Sequence, residues 1–96
     1  MIRILAIDDL RNFKQATATA RTYEEGIRML IEEGPWDELL LDHDLGDELT
    51  KTGYDILCFL EENPKLLPRK TTLVTANPVG RMRMQLVLDK IYDRIR

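Results

Sequence analysis

Four aspartates, one histidine and a Thr-Ala-Asn step hold most of the chemistry this sequence can do. Asp8 and Asp9 end the apolar run of residues 2–7 (IRILAI), and Asp42, His43 and Asp44 end residues 38–41 (ELLL). Thr75, Ala76 and Asn77 end a third run, TTLVT. Carboxylates gathered in one crevice repel each other and stay ionised cheaply only with a cation among them, or else some protonate. An all-oxygen ligand set suits Mg²⁺ or Mn²⁺, ions that keep waters and often take a phosphate as well. Asp8, Asp9, Asp42 and Asp44 are the candidate ligands. One His and one Cys do not fill an ordinary zinc site.

His43 is the only histidine, and its type suits a general acid or base near neutral pH. If the strand continues, side chains alternate, and His43 points away from Asp42 and Asp44 into the sheet–helix layer; a structural histidine reads the same way. Asn77-Pro78 is a helix start with Asn as N-cap and Pro at the first helical position. Its free N–H groups favour an anion such as phosphate, which makes Thr75, Asn77 and Arg81 candidate phosphate contacts. An ordinary cap with solvated arginines fits the segment equally. Tyr54, Trp36, Met82 and Met84 read as packing residues.

The elements that must position these residues follow from pattern. Residues 2–7 form a buried strand, residues 10–15 are too few for a crossover helix, and residues 16–21 (ATATAR) form an edge strand. Thr22 and Glu25 have capping-box spacing, ahead of a helix with Tyr23, Ile27, Leu30 and Ile31 on one face. Gly34-Pro35 ends it. Residues 38–41 form a strand, residues 46–52 a polar loop, and residues 53–63 a helix with Ile56, Leu57 and Leu60 inward. Residues 71–75 form the last strand. The last helix carries Met84, Val87, Leu88, Ile91 and Ile95. The order β-β-α-β-α-β-α predicts one α/β domain over residues 1–96, with a mostly parallel sheet of about four strands and helices packed on it. Ligands of such sheets bind at the C-terminal strand ends, where the three acidic or polar steps lie.

The whole chain narrows the choice. Its 96 residues carry a net charge of −3, so no global basic field recruits nucleic acid, although a nucleotide can still be held locally. The single Cys58 forms no internal disulfide and reads as a small buried hydrophobe. No apolar run approaches the ~20 residues of a membrane span, and no signal-peptide pattern opens the chain, so a cytoplasmic location without a membrane partner is expected.

Asp8-Asp9, and Asp42 at the end of LLLD, resemble the acidic triad of response-regulator receiver domains, a flavodoxin-like fold. Thr75-Ala76 resembles that family's Thr/Ser-Ala step, and Gly53 its loop glycine. The strings LDHDLGD, TGYDIL and ANPVGRMRM are similar, over nearly the whole chain, to cyclic-phosphate-processing receiver domains. The resemblance implies a truncated receiver that processes cyclic phosphates or related phosphoesters in RNA repair or processing, with a metal at the aspartates. His43 and Asp42 would then be catalytic, and the ligand a small phosphoester or an RNA end. Three departures stand out, the first being that the receiver's first helix is reduced here to the short stretch of residues 10–15. No counterpart of the receiver's fifth-strand Lys is expected, and Val74 stands where the closer family carries a His, which leaves either impaired proton transfer or His43 acting alone. Two other expectations stay open: a switch phosphorylated on Asp42, and a non-enzymatic adaptor or homodimer formed through the last strand or residues 78–96.

Overall fold

The computed structural model describes residues 1–46 and 51–94. Four short strands, β1 (Ile4–Ile7), β2 (Ala18–Ala20), β3 (Glu38–Leu41) and β4 (Lys70–Leu73), form one sheet in the order β2-β1-β3-β4. Every pairing is parallel. Three helices, α1 (Tyr23–Glu32), α2 (Gly53–Glu62) and α3 (Pro78–Arg94), complete the fold, with one turn of 3₁₀ helix at Pro64–Leu66. This is the parallel α/β sheet expected from the element order, in the small receiver-like form that the resemblance implies.

The register explains the core. Ile7 pairs with Ala20 and Leu41, and Leu41 with Leu73, so apolar side chains at one level share one face of the sheet. Leu5, Ile7, Ala20, Leu39, Leu41 and Leu73 form a single cluster with the buried residues of all three helices. Ala6 and Leu40 are also buried, but they alternate to the opposite face and lie outside that cluster. The helices therefore form one layer on one side. The β1–β2 connection contains no helix, as its length predicts.

The helix starts are built locally. Thr22 accepts the amide of Glu25 at 3.1 Å, while the Glu25 carboxylate reaches the amide of Arg21 at 2.6 Å rather than that of Thr22. A reciprocal capping box opens α2 instead, between Thr52 and Asp55. Trp36 is buried against α1, its indole donating to the Met29 carbonyl at 3.1 Å.

Several expectations are corrected. β1 begins at Ile4 because β3 begins at its partner Glu38, and the Arg3 carbonyl is taken by the amides of Asp37 and Glu38. Ile2 has no strand to meet and is exposed. β4 ends at Leu73, two residues earlier than expected, though the Val74 amide still donates to Leu41. Ile31 is exposed because α1 turns Gly26, Met29 and Leu30 to the core. Met82 is exposed because the buried line of α3 runs through Gly80, Met84, Leu88 and Ile91. Cys58 is half-buried rather than buried. Ile95, and residues 47–50 of the polar loop, lie outside the described residues.

Candidate functional site

The sheet ladder continues one step past the strand ends and fixes the acids there. The Asp8 amide donates to Ala20, the Asp42 amide to Ile7 and the Val74 amide to Leu41, each at 3.0 Å. Asp8 and Asp42 therefore stand side by side at one level. Side-chain alternation then sends His43 and Thr75, one residue on, toward the helix layer.

Asp8, Asp9 and Asp42 each offer an oxygen such that all three atoms lie within 4.8 Å of one another. Asp8 and Asp42 are buried and Asp9 is half-buried. Each carboxylate is oriented before any ligand arrives. Asp8 Oδ1 accepts the amides of Leu10 at 3.0 Å and Arg11 at 2.8 Å. Asp9 Oδ2 accepts the Gly46 amide at 3.1 Å, tying the end of β1 to the loop after β3. Asp42 Oδ1 accepts the His43 amide at 2.8 Å, and the nearby Thr75 hydroxyl favours the ionised form of the same carboxylate. Burial, aided by the neighbouring Asp8 charge, raises the Asp42 pKa above the ordinary carboxylate value despite these two groups and nearby Arg11.

These side chains line an open crevice of about 320 Å³ whose walls also include Arg11, Asp44 and Asn77. Asp44 lies outside the close trio and pairs with His43, Oδ1 to Nδ1 at 3.0 Å. His43 packs over α3, so close that a Cβ on Gly80 would sit 2.6 Å from the imidazole ring. Its ring faces the helix layer, as alternation predicts, but it stays paired with Asp44 instead of pointing away from it, because β3 ends at Leu41 and the backbone bends at His43; the ring reaches the crevice only through that carboxylate.

Thr75 is buried, accepts the Asn77 amide at 3.0 Å and lies close enough to Asp42 to favour its ionised form. Asn77 is the N-cap of α3, its Oδ1 accepting the Gly80 amide at 3.0 Å, and it borders the crevice. Arg81 turns elsewhere. Its guanidinium donates to the carbonyls of Leu73 at 3.1 Å and Thr75 at 3.4 Å, covering the end of β4.

Arg11 is the residue the sequence reading missed. Its Nε lies 2.9 Å from Asp8 Oδ2, one terminal nitrogen lies 3.7 Å from Asp42 Oδ1, and that same nitrogen donates to the Val74 carbonyl. The signal was the Asp8-x-x-Arg11 spacing. An Asp at a strand end accepts amides two and three residues on, which folds the third side chain back over its carboxylate. Arg21 fastens that turn by donating to the carbonyls of Asp8 at 3.1 Å and Arg11 at 2.8 Å.

A parallel sheet in the order β2-β1-β3-β4 with paired acids after β1 and a third after β3 is the arrangement of a receiver-type domain, and the single helix layer is its departure from the two-sided receiver pattern. The family model described as "Cyclic-phosphate processing Receiver domain" matches residues 3–90, and the chain belongs to that family. No curated protein and no solved structure matches the chain. Among the described residues no helix is long and apolar enough to cross a membrane.

Proposed function

We propose that the crevice binds Mg²⁺ or Mn²⁺ through Asp8, Asp9 and Asp42 and acts on a cyclic phosphate or related phosphoester, as a free nucleotide or at an RNA end. The observation that carries this reading is the convergence of three carboxylate oxygens within 4.8 Å, two of them from buried side chains. The donors are hard oxygens only, which fits these ions and not zinc. When bound, such an ion polarises phosphate oxygens and acidifies a water.

The chain's own residues do the rest. Asn77 spends its Oδ1 on the helix cap, leaving its Nδ2 group to donate to a phosphate oxygen at the N-terminus of α3. The His43 amide holds the Asp42 carboxylate, and Thr75 beside it favours the ionised form. Proton transfer falls to the His43–Asp44 pair, with Asp44 on the crevice wall and the imidazole behind it. Family membership supports the phosphate class of ligand.

Phosphorus NMR of a 2′,3′-cyclic nucleotide with the protein and Mn²⁺ tests the reading, with Asp42→Ala as control. Ring opening that needs both the metal and Asp42 is the expected result. An unchanged nucleotide spectrum together with no Mn²⁺ uptake would sink the proposal.

A second reading, self-association, has two observations in its favour. Val79, Met82 and Leu86 are each more than 60% exposed along α3, and β4 is an open edge of the sheet. Light scattering at high micromolar concentration decides it, because a monomer there removes the reading.

A further inference from the structure

The geometry points to Arg11 as a displaceable internal counter-ion: it neutralises the Asp8–Asp42 pair until a divalent cation arrives, then turns to an oxygen of a phosphate bound in the same crevice. The inference rests on the crevice taking a divalent cation. It goes further in assigning the anion contact to a residue outside the aspartate, threonine and asparagine set.

Three observations carry it. The first is competition for the same carboxylates. Arg11 contacts Oδ2 of Asp8 at 2.9 Å and stands 3.7 Å from Oδ1 of Asp42, and both acids belong to the close trio. A cation placed among the trio would sit beside the guanidinium and repel it. The second is freedom to move. The Arg11 side chain is 47% exposed while Asp8 is fully buried, so the arginine and not the aspartate is the partner able to swing. Asp8 would keep its two backbone N–H donors after the swing, so its buried carboxylate would not be stranded. The third is charge. The trio carries three negative charges when ionised, of which a divalent ion cancels two. Arg11 cancels the third, so that of the crevice carboxylates only the outlying Asp44 still opposes a phosphate. A planar guanidinium also suits two phosphate oxygens at once.

Arg11 should therefore weaken metal binding and strengthen phosphate binding, an opposition that a merely structural residue does not produce. The test uses wild type, Arg11→Gln and Arg11→Lys, each titrated calorimetrically with Mn²⁺ and then, saturated with Mn²⁺, with inorganic phosphate. The expected result for R11Q is Mn²⁺ bound roughly tenfold tighter and phosphate roughly tenfold weaker, the scale of one partly exposed charge-assisted hydrogen bond. R11K, which keeps the charge but not the two-oxygen fork, should stay within about threefold of wild type for Mn²⁺ and fall between wild type and R11Q for phosphate. Mn²⁺ uptake by all three chains with R11Q unchanged, or with both affinities shifted in the same direction, overturns the role of Arg11 alone. No Mn²⁺ uptake by any of the three overturns the metal reading, and the inference with it.

Discussion

The backbone of Gly53 lies against the carbonyl of Asp42 so closely that a Cβ on Gly53 would fall 1.9 Å from that oxygen. The Gly53 amide also donates to the His43 carbonyl at 2.8 Å, so α2 begins directly on the strand end that carries the site. The obstacle is backbone, not a side chain that can rotate away. Gly53→Ala is therefore expected to cost about 3 kcal/mol or more, because overpacking here must move a strand or a helix. Thermal melting checks it, and Mn²⁺ titration of any folded fraction should show weakened uptake, since the displaced atoms belong to Asp42. A melting temperature equal to wild type would refute the contact.

Gly80 makes a softer contact of the same kind. There a Cβ would meet the His43 ring at 2.6 Å, and a ring can yield where a carbonyl cannot. Gly80→Ala is expected to cost about 1–2 kcal/mol and to push the imidazole off Asp44. The check is nitrogen NMR of the imidazole: ring resonances identical to wild type would contradict the packing.

Much of this arrangement was legible in the sequence because strand-ending acids and helix caps are local signals. Asp8, Asp42 and Thr75 are set by where short apolar runs stop, and Asn77-Pro78 announces its helix. The turning of His43 toward α3 follows from alternation alone. What was not legible depends on packing between elements. Which arginine faces the carboxylates is decided by an Asp8-centred turn for Arg11 and by carbonyls at the end of β4 for Arg81. Likewise, periodicity marks Ile31 and Met82 as apolar but cannot say how far each helix is rotated, and both are exposed. That every helix packs on one face depends on the crossovers, which apolar patterning does not encode.

Arg21 offers a test of how the site loop is held. Its guanidinium donates to the carbonyls of Asp8 and Arg11, and to the side chain of Asn12. Arg21→Ala removes these bonds without touching an acid of the crevice. The amides of Leu10 and Arg11, which donate to Asp8 Oδ1, should then exchange roughly tenfold faster, the equivalent of one or two hydrogen bonds lost from a local opening. Unchanged exchange at these two amides would show that the turn holds itself.

Asp42 gives the pH dependence. Burial and the adjacent Asp8 raise its pKa in the folded state, so the folded protein holds this proton at pH values where the unfolded chain has released it. In that window the native state binds more protons than the unfolded state, and stability falls as pH rises. The window opens near the ordinary carboxylate pKa of about 4 and closes at the raised folded value, above which the full penalty applies. Asp42→Asn keeps an oxygen to accept from the His43 amide but carries no charge. Without metal it is therefore expected to be more stable than wild type at pH 7, and the gap should shrink as pH falls through the window. Saturating Mn²⁺ should reverse the order, because a bound cation favours the ionised carboxylate that only wild type has. Urea melts at pH 4 and pH 7, with and without Mn²⁺, separate the cases. A metal-free Asp42→Asn protein less stable than wild type at pH 7 would show that the Asp42 carboxylate is stabilised, not strained, by its surroundings.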